Sequence, residues 1–195
     1  TLRDGEQTSG VSFSELEKLN IAKKLLDDVK VDRIEVASAR ISKGEFEGAR
    51  KIVEWAKEKG YLNRVEILGF IDGTKSLDWI NQVGAKVVNL LSKGSINHLT
   101  HQLKKTKEEH VSDLREVIRS ARDRGIDVNI YLEDWSNGMK NSRDYVYYLM
   151  DALKYEPIKR FMLPDTLGIL NHEEVYEFCS DMLNRYPDVH FDFHA

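Results

Sequence analysis

The two ends of the sequence carry residue types that could bind a divalent cation and stabilise an oxyanion. Arg3-Asp4 sets a guanidinium beside a carboxylate where a strand gives way to a loop. The glycines of Gly5-Glu6-Gln7-Thr8-Ser9-Gly10 let the backbone approach a ligand closely. At the far end, His190-Phe191-Asp192-Phe193-His194 finishes a strand on an imidazole. A carboxylate and an imidazole at one end of a barrel suit a divalent cation, and an adjacent arginine can stabilise an oxyanion. Taken singly, neither is specific: Arg-Asp pairs are frequent as surface salt bridges, and a histidine at a strand end is more often structural than metal-bound. His190 and His194 face the same way but stand about 13 Å apart along a strand, so they cannot share one ion. His190 is therefore read as structural, and a metal partner for His194 is expected two residues beyond it.

Three further positions lie between these ends. Alternation along Asp127–Glu133 puts Asn129, Tyr131 and Glu133 on one face, where Glu133 could serve as base or acid. The competing role is a buried glutamate paired with a neighbouring Lys or Arg. In Pro164-Asp165-Thr166-Leu167-Gly168 the threonine hydroxyl and nearby amides could receive a substrate carboxylate, or the segment could be a plain turn or helix cap. Cys179, the single cysteine, falls in an amphipathic helix pattern and reads as a buried, inert thiol. One cysteine permits no internal disulfide and fits a reducing cytoplasm.

The elements that must hold these residues alternate. Strands are expected at Arg33–Ala37, Val65–Phe70, Lys86–Leu91, Asp127–Glu133, Arg160–Pro164 and His190–His194, rich in Val, Ile, Leu and Phe as strands buried on both faces are. Helices are expected near Ser14–Val29, Phe46–Lys59, Leu77–Val83, Lys107–Arg124, Asp144–Leu153 and Glu173–Tyr186. Ser14-Glu15-Leu16-Glu17 is a capping box, and Gly60 and Gly125 close their helices. With Thr1-Leu2 as the tail of an earlier strand, seven strands alternate with six helices. An open doubly wound sheet and an incomplete (β/α)₈ TIM barrel, lacking its last strand and last two helices, both meet that pattern. No Gly-rich phosphate fingerprint follows any strand, which weakens the dinucleotide-binding version. Polar residues gather just after strand ends, where a barrel keeps its active site.

The 195 residues suit one domain, a partial catalytic barrel over 1–195. With 41% hydrophobic and 32% charged residues and a net charge of -4, the chain reads as soluble. Its Lys and Arg are interspersed with Asp and Glu, so no nucleic-acid surface is expected. No apolar run approaches the ~18 residues of a membrane span.

At this point the motifs carry a resemblance. Thr1-Leu2-Arg3-Asp4-Gly5-Glu6-Gln7 resembles the N-terminal signature of the DRE-TIM metallolyase superfamily. Within it the chain is similar to the acyl-CoA-dependent Claisen condensing enzymes, the isopropylmalate, homocitrate and citramalate synthases. It looks most like the citramalate synthases through Asp32-Arg33-Ile34-Glu35-Val36-Ala37-Ser38-Ala39-Arg40, Ile67-Leu68-Gly69-Phe70 and Tyr131-Leu132-Glu133-Asp134-Trp135-Ser136-Asn137-Gly138. The resemblance runs in order over the whole chain. It implies a (β/α)₈ barrel and a divalent metal (Mg, Mn or Zn) bound by Asp4, His194 and a histidine two residues later. It implies acetyl-CoA as co-substrate and a small 2-oxo acid that chelates the metal. Arg3 would hold the developing alkoxide or enolate oxygen, Thr166 the substrate carboxylate, and Glu133 would help deprotonate the acetyl methyl. Leu68, Leu91 and Tyr131 would wall a methyl-sized pocket that favours pyruvate, with 2-oxoisovalerate the alternative. The family also implies a cytoplasmic homodimer with a linker and regulatory domain beyond this segment. A lyase of the same superfamily and a non-catalytic paralogue remain the other expectations.

Overall fold

The computed structural model describes residues 2–195; the start of the strand expected at Thr1-Leu2 falls on Thr1, outside the described residues. Leu2 is buried but belongs to no strand, so the described residues hold six strands rather than seven. In chain order the elements are α1 (Glu15–Lys23), β1 (Ile34–Ser38), α2 (Lys43–Lys59), β2 (Val65–Phe70), α3 (Lys75–Val83), β3 (Val87–Lys93), α4 (Ile96–His98), α5 (Lys107–Asp123), β4 (Asp127–Glu133), α6 (Trp135–Asn141), α7 (Arg143–Leu153), β5 (Ile158–Pro164), α8 (His172–Arg185) and β6 (Phe191–His194). The strands neighbour one another in chain order, β1 to β6. The β1–β2, β4–β5 and β5–β6 pairs are parallel. A doubly wound sheet reverses its strand order at a switch point, whereas a barrel adds each strand beside the last. The order here never reverses, which selects the incomplete barrel. Among the described residues no helix is long and apolar enough to cross a membrane.

Two compact units divide the chain, one of residues 1–89 and 120–127, the other of 90–119 and 128–195. In the first, the Ser14 capping box forms as expected: Ser14 Oγ accepts from Glu17 N–H at 3.3 Å and Glu17 Oε2 accepts from Ser14 N–H at 2.7 Å. The helix expected through Val29 widens into a π-helical turn over Lys24–Val29 and is closed by Lys30 in the left-handed region. Helix α2 begins three residues earlier than Phe46 because Ser42 Oγ caps Glu45 N–H at 3.1 Å. It buries Ala49, Ile52, Val53 and Ala56, one stripe of a 3.6-residue period, and ends at Gly60 with φ +75°.

In the second unit, Val128, Ile130 and Leu132 form one buried face of β4. Strand β3 runs two residues past the expected Leu91. Helix α6, an element beyond those expected from the pattern, carries fully buried Trp135, whose ring meets Phe178 at 6.2 Å and Phe193 at 6.3 Å between centroids. The short α4 and the π-helical turn Leu99–Leu103 were also unforeseen. Two glycines allow the close approach here. A Cβ on Gly94 would lie 2.5 Å from Leu132 O, and one on Gly138 would overlap the carbonyl oxygen of Gly94. Cys179 is free and half-buried rather than buried, and burial pushes its thiol pKa up.

Candidate active site

In the first unit Arg3 is held by more than its neighbour. Its Nε lies 2.5 Å from Glu35 Oε1, its Nη1 3.1 Å from Asp4 Oδ1 and 3.4 Å from Gln7 Oε1. The side chains of Arg3 and Glu35 are 11% and 12% exposed, whereas that of Asp4 is 54% exposed. A charge-assisted bond between two largely buried groups fixes the guanidinium fork in direction, which an exposed pair does not do. Glu35 is fixed in turn. Asn89 Nδ2 donates to Glu35 Oε2 at 2.6 Å and to Glu66 Oε2 at 3.0 Å. Glu35 was not among the candidate residues. Its signal was a carboxylate at an alternating position inside the apolar run Arg33-Ile34-Glu35-Val36-Ala37.

The loop after Asp4 is anchored as well. Gly5–Gln7 make a single 3₁₀ turn. Glu6 Oε1 accepts from Phe13 N–H at 2.8 Å, and its Oε2 lies 2.5 Å from Lys18 Nζ. Lys18 is buried and also pairs with Glu45, whose second oxygen accepts from Ser38 N–H at 3.2 Å at the end of β1. Burial works against ionisation of Glu6, but Lys18 and the Phe13 amide outweigh it and hold its carboxyl below the usual range. Leu68, also in this unit, is buried on β2 opposite Ser38.

The second unit contains Glu133, Thr166 and His194, at or just beyond the ends of β4 to β6, and Leu91 and Tyr131, two residues before the ends of β3 and β4. Glu133 is paired with Lys93. One alternation back along the same two strands stand Leu91 and Tyr131, both half-buried. Pro164 pairs in register with His194, and Asp165 N–H donates to His194 O at 2.8 Å. The rings of Tyr131 and His194 lie 6.0 Å apart between centroids. His190 precedes β6, is exposed, and its Nε2 sits 3.1 Å from Asp192 Oδ1.

Thr166 is exposed, and its Oγ1 accepts the backbone N–H of Asp134 at 2.9 Å. A hydroxyl keeps its own proton when it accepts, so it can still donate to a carboxylate. Asp134 has φ +66°, an uncommon conformation for a side-chain-bearing residue, and is held there by Ser95 Oγ at 2.6 Å and Asn137 Nδ2 at 2.8 Å. Next to Thr166, burial opposes ionisation of Asp165. The amides of Leu170 and Ile169, at 2.9 Å and 3.1 Å, with the charge of Lys140, hold its carboxyl below the ordinary value. That segment is thus a turn built on Asp165, closed by Gly168 at φ +61°.

Asp4 offers carboxylate oxygen and His194 imidazole nitrogen, donors that suit Mg, Mn or Zn to differing degrees. Among the described residues no group of three or more His, Cys, Asp or Glu could by itself hold a metal ion. Asp4 belongs to the first unit and His194 to the second, and by donor type each could serve as one ligand of such an ion.

Comparisons with known proteins bear on the family and the fold. The HMGL-like family model matches residues 1–195. A putative (R)-citramalate synthase CimA of Methanopyrus kandleri is 34% identical over 176 residues, 90% of this chain and 33% of that protein. A 2-isopropylmalate synthase of Saccharolobus solfataricus is 31% identical over 185 residues, 94% of this chain and 46% of that protein. The homocitrate synthase of Sulfolobus acidocaldarius is 29% identical over 198 residues, 100% of this chain and 41% of that protein. The chain thus spans a third to a half of the length of these relatives. Among solved structures, the HMG-CoA lyase of Bacillus subtilis superposes with a TM-score of 0.76 at 20% identity over 98% of this chain and 64% of that one, a likeness of fold. With the family model matched from end to end and the strand order of its barrel in place, the chain belongs to the HMGL-like family.

Proposed function

We propose that the protein to which this segment belongs condenses acetyl-CoA with pyruvate, giving (R)-citramalate and free CoA. It would do so in branched-chain amino-acid biosynthesis, as a cytoplasmic homodimer. The observation that carries the reading is the layering on β3 and β4. The Lys93–Glu133 pair ends β3 and β4, and Leu91 and Tyr131 stand one alternation back along the same two strands, where they would form an apolar wall beneath the carboxylate. Such a wall leaves room for a methyl and penalises a second carboxylate, which would be buried without a partner.

In the proposed reaction Glu133 takes a proton from the acetyl methyl: the C–H bond breaks, an O–H bond forms, and the electron pair becomes the enolate. The enolate carbon attacks C2 of the 2-oxo acid. Arg3, held in direction by Glu35, meets the oxygen that gains negative charge, and a preorganised donor of this kind needs no rearrangement when the charge appears. Thr166 donates to the substrate carboxylate. Water then hydrolyses the thioester and makes the sequence irreversible. A divalent ion at Asp4 and His194 would polarise the ketone and orient the acid.

The second reading is a 2-isopropylmalate synthase acting on 2-oxoisovalerate. It is favoured by relatives of that name at similar identity. Methylene-scale differences in an apolar pocket give only about 1–3 kcal/mol of discrimination. The test of the residue roles is CoA release by Arg3→Ala and Asp4→Ala in the full-length protein. Both are expected to lose nearly all turnover, and full activity in either refutes the assignment.

A further inference from the structure

Glu133 is held from the neighbouring strand. Its partner Lys93 ends β3, and the side chains are 12% (Lys93) and 23% (Glu133) exposed. The backbone of Lys93 is gripped on both sides. Its N–H points at His110 Nε2 at 3.4 Å, and its carbonyl accepts the Tyr145 hydroxyl at 3.1 Å. The next residue, Gly94, donates its N–H to Glu133 O at 2.6 Å and has no room for a side chain. His110 accepts only while neutral, and burial pushes its pKa down to about 4, so it accepts at any ordinary pH. An ion pair that served solubility alone would gain little and would need none of these supports.

We infer that Lys93 is the positioning residue for Glu133, aiming its carboxylate at the acetyl methyl over the Leu91–Tyr131 wall and keeping a cation beside the charge as it moves. The inference rests on the condensation reading. When Glu133 takes the methyl proton, negative charge passes from its carboxylate to the enolate oxygen. The Lys93 ammonium keeps its own proton and is left facing a neutral acid, with its charge available to the enolate. No proton or electron is lost from the balance.

The experiment uses the full-length protein, first as wild type and then as Lys93→Ala, Lys93→Met and Lys93→Arg. Wild-type CoA release with acetyl-CoA and a 2-oxo acid is measured first, and its absence overturns the condensation reading and this inference with it. Given turnover, Lys93→Ala is expected to lower kcat about 100-fold while KM for the 2-oxo acid stays within about threefold. Added ethylammonium should restore at least about tenfold of the loss, and tetramethylammonium, which has no N–H to donate, should restore none. Lys93→Arg should retain more activity than Lys93→Met. A wild-type kcat in folded Lys93→Ala or Lys93→Met overturns the inference. So does a loss that no ammonium ion restores and that Lys93→Arg shares in full.

Discussion

Acid should weaken this fold through one imidazole. His110 on α5 is 1% exposed, with Nε2 3.3 Å from Ser92 Oγ and 3.4 Å from Lys93 N. Burial is the main reason its pKa falls from 6.5 to about 4; Asp113 opposes the shift, and Lys105 and Lys93 add to it. The folded state therefore refuses a proton that the unfolded chain accepts between pH 6.5 and pH 4. This contribution to stability is whole above about pH 6.5, falls as the pH drops through the window, and levels off below about pH 4. A window of roughly 2.5 pH units at 1.36 kcal/mol each amounts to about 3 kcal/mol. That is a large share of the 5–15 kcal/mol typical of a domain. Urea unfolding of the wild type and of His110→Gln between pH 7 and pH 4 isolates the effect, because carboxylate titrations are common to both. Glutamine keeps an acceptor for Lys93 N–H but does not titrate. The stability difference should move by about 3 kcal/mol in favour of the variant on acidification. Curves that stay parallel to within about 0.5 kcal/mol would refute the reasoning.

Other expectations follow from single contacts. Gly138→Ala should destabilise by at least about 1–3 kcal/mol, since the new methyl meets the Gly94 carbonyl and not a side chain that can swing away; wild-type stability in urea would contradict this. Lys18→Met should cost about 3–5 kcal/mol by leaving Glu6 and Glu45 in a buried site without their cation, read as a fall in melting temperature. Arg3→Ala should lower kcat about 10²–10³-fold with the fold intact by circular dichroism. Leu91→Ala should raise the ratio of kcat/KM for 2-oxoisovalerate over pyruvate about tenfold, and an unchanged ratio would remove Leu91 from the pocket wall.

Much of the frame was legible because it depends on local rules. The apolar runs located the six strands to within a few residues, and Ser14, Gly60 and Gly125 act as the caps and stops they resemble. The barrel progression was not decided by pattern alone, since alternating strands and helices fit two folds, and the unreversed strand order settled it. Helix α6 was missed because Trp135-Ser136-Asn137-Gly138 has no amphipathic period, and its place comes from Gly138 seated against Gly94. The partners of the candidate residues were the least legible part. Arg3 was legible beside Asp4 but not on Glu35, which is 32 residues away; for Glu133 the pairing with a neighbouring Lys or Arg was an open alternative, and the structure makes it with Lys93, 40 residues back. With β3 expected to end at Leu91, the partner had no strand position of its own; one more alternation places Lys93 beside Glu133. Ion pairs between strands are made by register, and register is not written in either strand alone.

The measurement that bears most directly on the account is CoA release by the full-length protein with acetyl-CoA and a divalent metal, with pyruvate, 2-oxoisovalerate and 2-oxoglutarate compared side by side. The account predicts the highest kcat/KM with pyruvate and (R)-citramalate as the product. Higher kcat/KM with 2-oxoisovalerate or 2-oxoglutarate would contradict the pocket assignment. Cleavage of a 3-hydroxy-3-methylglutaryl thioester, with no CoA release from acetyl-CoA and any of the three acids, would contradict the condensation itself.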